Sequence, residues 1–205
     1  ALNEAKEKGQ DLVTLCSACH HVIKRVNDDM KNADDIRTRA NNYMQLEEPY
    51  AGETTVLHFL EVLRDRIGFD TLKEKVTAPL TGKKIGAYYG CLLLRPSGLL
   101  EFDDPENPSI IEDFIRAIGA EPVIYPYRNE CCGGYISLKE KEMSKTMCDK
   151  IMDSASGFGA DMLITACPLC LYNLNKSTCG SRLPVYYFTE LLAEALGVKE
   201  EVAKA

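Results

Sequence analysis

Two stretches of the sequence echo one another, and that repetition limits the possible folds more than any single motif does. Gly9-Gln-Asp-Leu-Val-Thr-Leu-Cys16-Ser-Ala-Cys19 parallels Gly159-Ala-Asp-Met-Leu-Ile-Thr-Ala-Cys167-Pro-Leu-Cys170, with one residue inserted in the second copy. A second echo follows each: Val56-Leu-His-Phe-Leu-Glu-Val-Leu63 parallels Val185-Tyr-Tyr-Phe-Thr-Glu-Leu-Leu192. Repeats of this length imply two domains of one architecture, expected at residues 1–78 and 79–205. The second copy carries more. Cys131 and Cys132 lie upstream of its Cys-x-x-Cys, and Cys91 lies 76 residues before Cys167. The first copy has no counterpart to these three cysteines, and residue 1 falls inside what reads as a helix. The first domain is therefore expected to be incomplete, short of about 60 residues by the spacing of the second copy; the alternative is a degenerate repeat that has lost its site.

Short apolar runs at 12–15, 54–58, 85–89, 122–125, 162–166 and 185–188 read as strands. Helical patterns at 1–8, 17–27, 59–67, 110–118, 137–154 and 189–196 alternate with them. Residues 28–53 and 95–109 read as polar or Pro-rich connections. Ser109 with Glu112, and Ser137 with Glu140, have capping-box spacing. The alternation predicts an α/β fold: two repeated Rossmann-like cysteine-rich domains with short, largely parallel sheets. The cysteines fall at strand ends or helix starts, where open α/β sheets gather their ligands.

The net charge of −7 lacks the basic footprint of a general nucleic-acid binder. With 45% hydrophobic and 27% charged residues the chain is of ordinary globular composition. No run approaches the ~18 apolar residues of a membrane helix, so any membrane attachment is expected through partners.

The nine cysteines are an odd number, and a chain of 205 residues does not need staples. Two Cys-x-x-Cys pairs and one adjacent pair point to metal or cluster ligation in a reducing compartment, ahead of a redox dithiol or a disulfide scaffold. A helix start favours thiolates. Adjacent cysteines such as Cys131 and Cys132 suit a polynuclear cluster better than one zinc ion, and Gly133 and Gly134 leave room for it. The second copy offers five thiols, one more than zinc or a simple cubane needs. Cys148, inside a helix, and Cys179, beyond the motif, read as packing or incidental residues. Among the cations and imidazoles near the cysteines, Arg95, Arg128 and His20 are candidates to bind a substrate, with His21 beside them. His58 aligns with Tyr187 in the echo, which argues against a shared metal role there.

These motifs resemble a known family. Cys91, Cys131-Cys132-Gly and Cys167-x-x-Cys170 are similar to the cysteine-rich CCG domain. Tyr89-Gly-Cys91-Leu-Leu-Leu-Arg95-Pro, Phe102-Asp-Asp-Pro-Glu-Asn-Pro108 and Glu130-Cys-Cys-Gly-Gly134 resemble the B subunit of heterodisulfide reductases. The resemblance implies two domains, each holding a noncubane [4Fe–4S] cluster on five cysteines. Cys91, Cys131, Cys132, Cys167 and Cys170 would match one complete ligand set, and Cys16 and Cys19 the last two ligands of another. It further implies an iron–sulfur oxidoreductase that reduces a disulfide, such as that of coenzymes M and B, to two thiols. The implied partners are a ferredoxin-like [4Fe–4S] subunit and a flavin-containing subunit, and the implied location is cytoplasmic. The alternative within the family is an electron-relay subunit of an anaerobic glycerol-3-phosphate, lactate, glycolate or succinate/fumarate enzyme.

Overall fold

In the computed structural model, residues 1–177, 183–198 and 200 are described. The first repeat runs α1 (Leu2–Glu7), β1 (Leu12–Thr14), α2 (Ser17–Asn32), α3 (Asp34–Met44), β2 (Val56–His58) and α4 (Phe59–Glu61). The last of these widens into a π-helical stretch, Val62–Ile67, and α5 (Phe69–Lys75) follows. The second runs β3 (Lys84–Tyr88), α6 (Ser97–Leu100), α7 (Ile110–Ala117), β4 (Glu121–Val123), α8 (Lys141–Gly157), β5 (Met162–Thr165), α9 (Pro168–Ser177), β6 (Val185–Tyr187) and α10 (Phe188–Ala195).

Both sheets are parallel, as the alternation predicts. Strands β1 and β2 form a pair, and the other four lie in the order β4-β3-β5-β6. Parallel strands are covered on both faces and so read as unbroken apolar runs. Every residue of β5 and all but the first of β3 are buried. The two sheets repeat one local geometry. Thr14 pairs with His58 in one and Thr165 with Tyr187 in the other. His58 and Tyr187 each open a helix by the same device: the Glu61 and Glu190 carboxylates reach back to the backbone N–H of His58 and Tyr187, 2.6 Å in both cases.

One face of the larger sheet packs Ile85, Phe114, Ile164 and Phe188 into a core that continues through Leu60, Leu63 and Leu72 of the first repeat. The other face packs Tyr88 and Leu163 against Ile151 and Met152 of α8 and Leu174 of α9. Among the described residues, no helix is long and apolar enough to cross a membrane.

Three local expectations need correction, and one further helix was not anticipated. Residues 34–44 form a helix where a polar connection was expected. The segment buries no side chain, so it carries no apolar stripe to detect; acidic residues at its start and Arg37, which donates to Lys31 O at 3.0 Å, hold it instead. Residues 69–75 are also helical. The capping box at Ser109 does not form, because Asp103 Oδ2 accepts the N–H groups of Ser109 and Ile110 at 2.8 Å, while Glu112 turns inward. Ser137 donates to Gly134 O at 2.8 Å in a turn, and the helix expected from it starts at Lys141.

Candidate functional site

Each Cys-x-x-Cys follows a strand by the same step, so both turns sit at the carboxyl edge of a parallel sheet. The two turns are joined. Ser17 donates its backbone N–H to Ala166 O at 2.9 Å and its hydroxyl to the same oxygen at 2.8 Å. The Tyr187 hydroxyl lies 2.9 Å from Ala166 O and 2.5 Å from Leu15 O. The residue preceding Cys16 and the residue preceding Cys167 are therefore held by one phenol. Within its own turn Cys16 caps α2, accepting the N–H of Cys19 at 3.4 Å.

The Cys167 thiol is lowered to about 6, first by a hydrogen bond from Cys170 and then by the N–H groups of Cys170, Leu169 and Ala18. Cys170 moves in the opposite direction and keeps its proton, because Cys132 and Cys167 both draw on it. Cys131 is also lowered to about 6, chiefly by the Cys91 thiol and then by the N–H groups of Gly133 and Gly134; the Gly133 N lies 3.3 Å from its sulfur. Burial raises Cys16.

Two glycines pack where a side chain would not fit. Gly90 has φ +64°, and a Cβ there would sit 3.2 Å from the Cys170 sulfur. Gly133 has φ +73°, and a Cβ would meet the Ser144 backbone at 3.0 Å. Beneath the adjacent pair lies a network that sequence reasoning missed. Asn173 donates to Cys132 O at 2.5 Å and to Ser144 Oγ at 3.0 Å. The Cys148 thiol lies 3.4 Å from the same carbonyl. Asn173 stands three residues after Cys170 on α9, a spacing that places both on one helix face. Cys148 is fully buried, and burial raises its thiol to about 12. Cys179 lies outside the described residues.

The cofactor expectation is corrected. Among the described residues, no group of three or more His, Cys, Asp or Glu side chains is arranged to hold a metal ion. The thiols instead associate with one another. Cys132 and Cys170 lie 3.6 Å apart. The noncubane [4Fe–4S] clusters expected on Cys91, Cys131, Cys132, Cys167 and Cys170, and in part on Cys16 and Cys19, are therefore not borne out.

The substrate-binding candidates are placed as follows. Arg95 bonds Asn129 O at 3.1 Å and the Glu106 carboxylate at 3.2 Å, tying down the loop after Phe102. Arg128 is buried, with Nε 3.2 Å from Glu112 Oε1 and its other nitrogen 2.6 Å from Asn107 Oδ1. His20 is fully buried, its Nδ1 3.1 Å from Thr14 Oγ1 and its ring edge-on to His58. His21 lies with Nδ1 3.3 Å from Leu92 O.

Three relatives are similar over nearly the whole chain. The B subunit of the ferredoxin:CoB-CoM heterodisulfide reductase of Methanosarcina mazei is 27% identical, over 96% of this chain and 68% of that protein. The 8-methylmenaquinol:fumarate reductase membrane anchor subunit of Wolinella succinogenes is 28% identical, over 95% and 70%. A protein of Archaeoglobus profundus that is itself like the heterodisulfide reductase B subunit is 28% identical, over 96% and 70%. Residues 85–175, from β3 into α9, match the cysteine-rich domain family CCG. Residues 85–175 thus carry a cysteine-rich domain of the CCG type, and the chain is homologous to proteins of the heterodisulfide reductase B-subunit type.

Proposed function

We propose that this chain is the disulfide-reducing subunit of an oxidoreductase of the heterodisulfide reductase type. Its domains would be residues 1–78 and 79–205, and its substrate an anionic disulfide such as that of coenzymes M and B. The observation that carries this reading is the joining of the two Cys-x-x-Cys turns through Ala166 O and Tyr187. A disulfide has two sulfur ends, and two thiol-lined turns on one rim suit it.

Reduction of R–S–S–R′ to RSH and R′SH consumes two electrons and two protons. In this reading a ferredoxin-like [4Fe–4S] subunit and a flavin-containing subunit supply the electrons in the cytoplasm. The chain's part is to orient the disulfide beside Cys16, Cys19, Cys91 and Cys131, with Cys132, Cys167 and Cys170 buried behind them. The N–H groups that stabilise charge at Cys131 and Cys167 can also receive charge as it develops on a departing sulfur. Good thiol leaving groups reduce the need for a separate general acid.

A second reading rests on the fumarate reductase relative. There the chain would serve electron transfer within its complex without touching a disulfide. Anaerobic assay of the chain in its complex, with coenzyme M–coenzyme B disulfide, separates the two. Release of two thiols per disulfide supports the first reading. Electron passage to a quinone with no thiol release supports the second.

A further inference from the structure

The expected anion-binding arginines are engaged elsewhere: Arg95 by Glu106 and Arg128 by Glu112. A different cation lies beside the cysteines. A cavity of about 180 Å³ opens next to Cys131 and is lined by Tyr127, Glu130, Cys131, Met147 and Lys150. Tyr127 and Glu130 come from the turn before the cysteine pair. Met147 and Lys150 are three residues apart on α8 and so share a face. The cavity has room for the tail of a short thiol. The wall is amphiphilic: an aromatic ring and a thioether beside a half-buried thiol, with one ammonium and one carboxylate.

We propose that this cavity takes the anionic end of a short thiol or disulfide, with Lys150 as the cation that selects it and Cys131 as the sulfur beside it. Glu130 lies on the same wall and sets the preference toward a single negative charge, since a carboxylate there repels added anionic charge. The inference rests on the disulfide-reducing reading and names the residue that gives it charge selectivity.

The test does not depend on turnover. The natural chain, Lys150→Glu, Lys150→Arg and Glu130→Gln are alkylated anaerobically with iodoacetate and, separately, with iodoacetamide, and the rate at Cys131 is followed by peptide mass mapping. The two reagents are similar in size and differ in charge. The iodoacetate-to-iodoacetamide ratio at Cys131 is expected to fall about five- to tenfold in Lys150→Glu. It should persist in Lys150→Arg and rise in Glu130→Gln. An unchanged ratio in Lys150→Glu overturns the proposal, as does failure of Cys131 to react in the natural chain. With disulfides, Lys150→Glu should raise KM for an anionic substrate and leave that for 2-hydroxyethyl disulfide unchanged. A charge-dependent alkylation ratio without turnover of any disulfide upholds the cavity and refutes the disulfide-reducing reading.

Discussion

The joining of the two Cys-x-x-Cys turns can be measured as a coupling energy between Ser17 and Tyr187. Ser17→Ala removes one hydroxyl donor from Ala166 O but leaves the Ser17 N–H on it at 2.9 Å. A net loss of about 1 kcal/mol is expected. Tyr187→Phe removes the hydroxyl shared between Ala166 O and Leu15 O, again about 1 kcal/mol. If the two side chains acted independently, the double variant would lose about 2 kcal/mol. They serve the same oxygen, however, and either one alone still pins the turn. The double variant should therefore lose an additional ~0.5–1 kcal/mol. Urea unfolding of the four proteins is the assay, each single change shifting the midpoint by about 0.3–0.5 M if m is near 2–3 kcal/mol/M. The cysteines should be kept reduced throughout. Strict additivity within about 0.3 kcal/mol would refute the claim that these residues form one clamp between the repeats.

Other outcomes follow from buried polar groups. Burial lowers His20 to about 4 and His58 to about 3, so both are neutral when folded and take up protons on unfolding below about 6.5. Their contribution is complete above that pH and is lost as the pH falls toward 4, on the order of 3 kcal/mol for His20; a urea midpoint that stays flat from pH 7 to 4 would contradict this. Arg128→Met leaves the buried Glu112 carboxylate without its cation and should cost about 3–5 kcal/mol. Adding Glu112→Gln should recover part of that loss in thermal melts, and no recovery would show the pair to be uncoupled. Asn173→Leu should cost about 1–3 kcal/mol, because it strips the amide donor from the carbonyl of Cys132; a stable variant with unchanged reactivity at Cys131 and Cys132 would show the network to be dispensable.

Strands β1, β3 and β5 were legible because each is a short run that leads directly to a cysteine or glycine. The equivalence of His58 and Tyr187 was legible because both precede a Glu at helix-capping distance. Helix Asp34–Met44 was not, since a helix with no buried side chain leaves no period in the sequence. The capping box at Ser109 failed for a tertiary reason: Asp103 reaches in from the preceding loop and accepts the Ser109 N–H in place of Glu112. The roles of Arg95 and Arg128 were hidden for the same reason. A basic residue near a cysteine in sequence says nothing about a carboxylate that the fold brings to it. Lys150 carries no local motif, and only the packing of α8 beside the cysteine loop places it next to Cys131. The cluster expectation came from the spacing of the cysteines as well as from a family resemblance, and neither contains the side-chain geometry of the thiols.

The most direct test of the central claim is thiol release from a disulfide by the chain in its complex. With a reduced ferredoxin-like donor and coenzyme M–coenzyme B disulfide under anaerobic conditions, the account predicts two thiols per disulfide consumed, with the rate reduced at least about tenfold in Cys167→Ser. A complex that passes electrons to a quinone or to fumarate at full rate while releasing no thiol from any disulfide would contradict it.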